Sequence, residues 1–182
     1  MSSVSEVIEK DAVYSRGSLK LIEDQLCIVR DVLANPRVFK ILRTLKMYYR
    51  LTVSDLRKLL KYSDASMRGY IKKLITLRLC EHVRGYDLRK KYIKLTELGE
   101  RILDLCEKVL INDIKSKFGV IDDRLGLVIV NHDRLENFME IYGLTEDFLK
   151  EQGYALYDGR IWVKRETLQK IKYYEGGEEE EY

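Results

Sequence analysis

Apolar residues recur at helical spacing through most of this chain and alternate as in strands at only a few short places. Leu19, Ile22, Leu26, Val29 and Leu33 fall at steps of three and four, which marks one buried helical stripe. Gly17-Ser18 predicts a break between this helix and a weaker one over residues 4–15. Asn35-Pro36 closes the segment, because the residue before a proline is pushed out of the helical region. A second helix is expected from Arg37, with Val38, Ile41, Leu42, Leu45 and Tyr49 on its core face. Thr52 followed by Asp55 reads as a capping box with aspartate in the glutamate position. The short helix behind it is expected to bury Leu56, Leu59 and Leu60. Lys61-Tyr62-Ser63 forms the next turn, where Ser63 can cap a helix whose Asp64 suits the positive end of the dipole.

That helix, over residues 64–77, carries Met67, Ile71 and Leu74 on one stripe. Ala65, Gly69, Lys72, Lys73 and Thr76 lie opposite, flanked by Ser66, Arg68 and Tyr70. The exposed face is therefore small, polar and basic, as a helix entering a nucleic-acid groove requires. Gly69 stands out, because glycine inside a helix costs about 1 kcal/mol relative to alanine. Residues 79–84 and 90–95 read as two strands around the loop Gly85–Arg89, with Ile93 and Leu95 inward. Thr96 then caps a long helix with Leu98, Ile102, Leu105 and Val109 on its apolar face, reaching toward Phe118.

Beyond it the pattern predicts a strand over Leu127–Val130 and helices over Arg134–Tyr142 and 145–151. A hairpin follows, Tyr154–Tyr157 to Arg160–Val163, joined by Asp158-Gly159 as a type I′ turn. A last short helix covers Thr167–Tyr174. The predicted fold is mainly α with a small β-wing: a winged helix-turn-helix plus helical extensions and a small C-terminal α+β region. It divides into an N-terminal helical arm over 1–35, the winged helix over 36–110, the α+β region over 111–175 and an acidic tail over 176–182.

Charge sharpens this division. The 182 residues carry 33 Lys plus Arg and 30 Asp plus Glu, a formal net of only +3. Residues 36–110 hold 19 basic and 8 acidic groups, whereas residues 111–182 hold 10 basic and 16 acidic ones. Residues 1–35 are also slightly acidic. A basic module framed by acidic arms predicts a polyanionic partner, which the near-neutral total conceals.

At residues 52–98 the residues form a recognisable pattern. The stretch LTVSDLRKLLKYSDASMRGYIKKLITLRLCEHVRG, followed by KKYIKLTELGERIL, resembles the winged helix-turn-helix DNA-binding proteins of the MarR, ArsR and PadR-like groups (multiple-antibiotic-resistance, arsenic-repressor and phenolic-acid-repressor). Leu51-Thr52 with Leu56, Leu59 and Leu60 stands where those families begin the first helix of the motif. Met67, Arg68 and Lys72-Lys73-Leu74 stand in the recognition helix. Ile93 through Gly99, IKLTELG, matches the segment that ends the wing and opens the next helix. Arg78 departs from the pattern, because a turn glycine is usual there. The resemblance covers roughly residues 38–110 and implies double-stranded DNA binding in transcription regulation.

On that reading Ser66, Tyr70 and Lys73 are the expected base-edge contacts, and Arg68 and Lys72 the phosphate clamps. The wing offers Arg84, Arg89, Lys90 and Lys91, with Arg89 assigned to the adjacent minor groove. Arg57, Lys58 and Lys61 add phosphate contacts from the preceding helix. The apolar stripes over 18–34 and 97–117 predict a homodimer, which would present two recognition helices to a palindromic site. The acidic, aromatic C-terminal region is a candidate surface for a protein partner. Two other readings stay open: a DNA-binding component of replication, partition or chromatin organisation, and a winged-helix protein-interaction adaptor.

No phosphate loop, dinucleotide glycine fingerprint or nucleophile elbow occurs in the sequence, so no enzyme activity and no cofactor are expected. His82 and His132 have no partner at metal-ligand spacing. Cys27, Cys80 and Cys106 form no CxxC, which predicts a reducing, cytoplasmic setting in association with DNA. Cys27 and Cys106 are expected to be buried, and Cys80 to be a small core residue. No apolar run approaches the roughly 20 residues needed to span a bilayer.

Overall fold

The computed structural model describes residues 23–85, 87 and 89–175, with side chains through residue 171. The expected helix over 4–15, the Gly17-Ser18 break and the acidic tail over 176–182 lie outside these residues, as do Tyr86 and Leu88 of the wing loop. The chain divides into two compact units, Met1–Cys106 and Glu107–Tyr182.

In the first unit, α1 covers residues 23–33 and buries Val29 and Val32. Its Leu26 and Cys27, expected to be buried, are exposed: burial is confined to Val29 and Val32, with Leu26 at the edge of that stripe and Cys27 on the far side of the helix. Helix α2, Pro36–Tyr48, opens on Pro36, where a missing N–H has no helical partner to lose. Phe39, Ile41, Leu42 and Leu45 are fully buried. Tyr49, expected on this core face, instead turns into positive φ (62°) and is 68% exposed, because the chain reverses there to feed a strand. That strand, β1 (Arg50–Thr52), has no signal of its own in the sequence. Only its antiparallel pairing with β3 (Lys91–Leu95), Leu51 opposite Ile93, creates it.

Helix α3, Val53–Leu60, starts at the expected capping box. Thr52 Oγ1 accepts from the Asp55 amide at 3.2 Å, and the Asp55 carboxylate accepts from the Thr52 amide at 3.2 Å and from its hydroxyl at 2.7 Å. Leu56 is buried, but Leu60 is only half-buried and Leu59 is 47% exposed, since this two-turn helix buries a single position fully. Helix α4, Asp64–Thr76, is capped by Ser63, whose hydroxyl accepts from the Ser66 amide at 3.2 Å. Met67, Ile71 and Leu74 form its buried stripe. Strand β2 (Cys80–Arg84) pairs with β3 to form the wing, and the sheet order is β1-β3-β2. Ile93 and Leu95 point inward as expected. The α3–turn–α4 pair with this hairpin is a winged helix-turn-helix.

Helix α5, Glu97–Phe118, begins at Thr96, whose Oγ1 accepts from the Gly99 amide at 3.0 Å. Its buried stripe is Gly99, Ile102, Leu103, Cys106, Leu110 and Ile114, while Val109 is 39% exposed. The expected stripe is thus rotated by one position. Gly99 falls on the buried side, directly against the Leu79 carbonyl, where only a glycine fits.

The second unit is an antiparallel sheet of order β4-β5-β7-β6. Its strands are β4 (Gly119–Asp122), β5 (Gly126–Val130), β6 (Tyr154–Tyr157) and β7 (Ile161–Lys164). Helices α6 (Asp133–Tyr142) and α7 (Glu146–Glu151) connect β5 to β6, and α8 (Arg165–Glu175) follows β7. Ile129, Leu135, Phe148, Leu149, Tyr154, Trp162 and Val163 make its core. Asp158 and Gly159 have φ of 52° and 67°, the paired positive values that a type I′ turn needs. Among the described residues no helix is long and apolar enough to cross a membrane.

Candidate nucleic-acid interface

The outward face of α4 is set by the caps at its start and the stripe beneath it. With Met67, Ile71 and Leu74 buried, Arg68, Gly69, Lys72 and Lys73 are all exposed. Arg68 Nε lies 2.8 Å from Asp64 Oδ2, one helical turn earlier. A Cβ added at Gly69 would meet nothing within 4 Å, so packing inside the protein does not require a glycine there.

Ser66 and Tyr70 stand at the edges of this face and already have partners. Ser66 Oγ accepts a hydrogen bond of 2.9 Å from the Ser63 hydroxyl. Tyr70 is half-buried and meets Tyr62 edge-on, with ring centroids 6.2 Å apart. The neighbouring Tyr70 side chain raises the pKa of Arg37, whose guanidinium also sits 5.8 Å from the centre of the Tyr62 ring. Nothing in the sequence marks Arg37 for this role. It sits at the start of α2, far from α4 in sequence, and no local pattern links them.

The wing contributes Arg84, Arg89, Lys90 and Lys91, all exposed. Asp87 organises its loop by accepting from the Arg89 amide at 3.0 Å and pairing with Lys90 at 3.5 Å. Lys94 Nζ pairs with Glu81 at 3.0 Å across the β2–β3 ladder, and the contact raises the Lys94 pKa. Lys58 and Lys61 are exposed on and just after α3.

Four of the expected cations converge on one feature. A cleft of about 590 Å³ is lined by Arg57, Arg68, Lys90 and Lys91, together with Thr52, Val53, Ser54 and Asp64. They come from the start and the last turn of α3, the first turns of α4 and the wing. Ser66, Tyr70, Lys72, Lys73, Arg84, Arg89, Lys58 and Lys61 lie outside it. Val53 and Ser54 open α3, so their amides have no helical carbonyl to bond. The capping box marked this helix start in the sequence, but nothing there showed that the wing folds beside it. Asp55, beneath, has its pKa lowered, first by the Thr52 hydroxyl and amide and further by Lys58 and Lys90. Arg57 Nη1 approaches Asp64 Oδ1 at 3.8 Å.

No family model and no curated protein matches this chain. Among solved structures it is similar to a mutant of MarR from E. coli complexed with operator DNA, with 18% identity, a TM-score of 0.44 and coverage of 83% of this chain and 94% of that one. It is similar to a MarR family transcriptional regulator from Silicibacter pomeroyi at 19% identity and a TM-score of 0.44, covering 83% of this chain and 95% of that one. It is also similar to the transcriptional regulator BldR from Sulfolobus solfataricus at 20% identity and a TM-score of 0.44, covering 64% and 84%.

Proposed function

We propose that residues 36–110 bind double-stranded DNA with sequence specificity and that the protein is a transcriptional regulator, working as a homodimer with the DNA in the cytoplasm. The convergence of Arg57, Arg68, Lys90 and Lys91 from three elements, beside the exposed Lys72 and Lys73, carries this reading. An α-helix with its side chains is about as wide as the major groove. With α4 in that groove, Lys73 reaches base edges, while Ser66 and Tyr70 contribute whatever capacity Ser63 and Arg37 leave them. Arg68, Lys72, Arg57, Lys58 and Lys61 take phosphates. Arg84, Lys90 and Lys91 hold the wing against the backbone, and Arg89 enters the neighbouring minor groove. Dimerisation is proposed on the apolar helical spacing over residues 18–34 and 97–117, and would present two copies of α4 to a palindromic site.

Selection of bound duplexes from a random pool, followed by footprinting, tests the reading. A palindromic site with half-sites about one helical turn apart is the expected result. Binding without any recovered consensus would mean sequence-blind coating instead of regulation. No affinity at moderate salt would refute DNA binding. Replacing Arg89 and Lys91 together should weaken binding and lower its salt slope by up to about 0.9 for each phosphate no longer neutralised. Replacing Lys73 should change the preferred sequence.

A further inference from the structure

The basic cleft contains one feature that phosphate binding alone does not explain. Asp64, the first residue of α4, is the sole acidic group among its lining residues. Its two carboxylate oxygens face different helices: Oδ2 is 2.8 Å from Arg68 Nε, and Oδ1 is 3.8 Å from Arg57 Nη1. Asp64 is not needed to cap α4, because Ser63 already does so. It therefore offers the two arginines what a phosphodiester would offer them: two oxygens sharing a negative charge between two guanidinium groups. Around it stand Lys90, Lys91 and the opening amides of α3, an eight-residue helix whose N-terminal dipole also favours an anion. Both ion pairs are exposed to solvent, and the cleft, about 590 Å³, is larger than a phosphate group.

We propose that this cleft is the seat of one backbone phosphate of the bound duplex, and that Asp64 is the intramolecular counterion that holds Arg57 and Arg68 until the phosphate displaces it. The proposal rests on the DNA-binding reading above and adds a tuning role to it. Asp64 weakens attachment to any duplex by the same factor, because it competes for a contact that carries no sequence information. It thereby lowers non-specific binding along the chromosome without altering which site is preferred. Asp64 acts through the two arginines and is a positioning residue.

The test is fluorescence-anisotropy titration of a labelled short duplex with the full chain, repeated across a salt series, for the wild type, Asp64→Asn and Asp64→Ser. The serine variant retains a side chain suited to a helix start, and a thermal melt of each variant checks that it is folded. Neutralising Asp64 should tighten binding to specific and random duplexes alike by about two- to fivefold at low salt, the range in which an exposed ion pair acts. The slope of log affinity against log salt should steepen by up to about 0.9, one phosphate's worth. Adding Arg57→Ala and Arg68→Ala should abolish the gain. A role confined to stabilising α4 predicts the opposite sign, because losing the acidic residue weakens the helix start. If the wild type binds DNA and neither folded variant binds more tightly, the phosphate seat is wrong and the DNA reading stands. If the wild type has no affinity for duplex at low salt, both are wrong.

Discussion

Replacing Gly99 by alanine should destabilise the protein even though alanine is the better helix former. Gly99 is the third residue of α5 and sits over the carbonyl of Leu79. An added Cβ would collide with that oxygen and lie 3.0 Å from the carbonyl carbon and 3.3 Å from Leu79 Cα. The obstacle is backbone, and it is held in place. Leu79 donates to the Leu74 carbonyl at 2.9 Å, and the Leu79 carbonyl accepts from the Thr96 amide at 3.1 Å. Thr96 is tied in turn to the Arg78 carbonyl at 2.6 Å through its hydroxyl. Relief requires the start of α5 to move away from the entry to the wing, which strains or breaks these bonds. Overpacking of this kind costs about 1–3 kcal/mol and a broken hydrogen bond about 0.5–1.5 kcal/mol, against a gain of about 1 kcal/mol in helix propensity. The net loss is about 1–3 kcal/mol. The control is Gly69→Ala, where no atom lies within 4 Å of the new Cβ and the propensity gain of about 1 kcal/mol stands alone. Urea unfolding followed by far-ultraviolet circular dichroism reads both. With a slope of about 2 kcal/mol per molar urea, Gly99→Ala should lower the midpoint by about 1 M and Gly69→Ala should raise it by about 0.5 M. A Gly99→Ala midpoint at or above wild type, with the slope unchanged, would refute the reasoning.

Three further outcomes follow from the same kind of geometry. Arg78 follows α4 at φ 58°, a left-handed conformation that glycine adopts without steric cost, so Arg78→Gly should raise the melting temperature by relieving a strain of about 1 kcal/mol; a lowered melting point would show that the side chain contributes more than the strain costs. Burial pushes the Cys80 thiol up to about 12, Cys106 is also buried and Cys27 is exposed, so a maleimide should label one thiol quickly in the native protein and all 3 in denaturant. Rapid labelling of Cys80 in the native state would contradict its place in the core. The Asp55 carboxyl has a lower pKa folded than unfolded, so its capping box adds stability that is complete above the ordinary carboxylate range and is lost as pH falls through the folded value. Asp55→Asn should therefore lower the melting temperature at neutral pH, with the difference from wild type vanishing in strong acid; a difference independent of pH would contradict the assignment.

The parts of the fold that were legible in the sequence are those whose signals are local. Thr52 and Asp55, Ser63 and Thr96 mark helix starts because each side chain bonds an amide within three residues of itself. Asp158-Gly159 marks a hairpin because two adjacent residues must both take positive φ. The Met67, Ile71 and Leu74 stripe fixes which side of α4 faces out, and with it the exposure of Arg68, Lys72 and Lys73. Other features were not legible because their partners are distant. Strand β1 exists only through its pairing with β3, and Tyr49 leaves the core to make that pairing reachable. Tyr70 joins Arg37 across 33 positions of sequence, so the spacing along α4 could not show that its side chain is engaged.

The sequence by itself determined the order of the helices and of five of the seven strands, all but β1 and β4, together with the division into a basic module between acidic arms and the helix face that carries the cations. Each of these is written in the periodicity, capping and charge of neighbouring residues. The tertiary structure decided which cations act together: Arg57, Arg68, Lys90 and Lys91 meet at one cleft while Lys72, Lys73 and Arg89 do not. It also decided that Asp64 lies among them, and that Gly99 lies on the buried side of α5 against the Leu79 carbonyl. These outcomes depend on contacts between segments separated by whole elements, and a short-range pattern contains no term for such contacts.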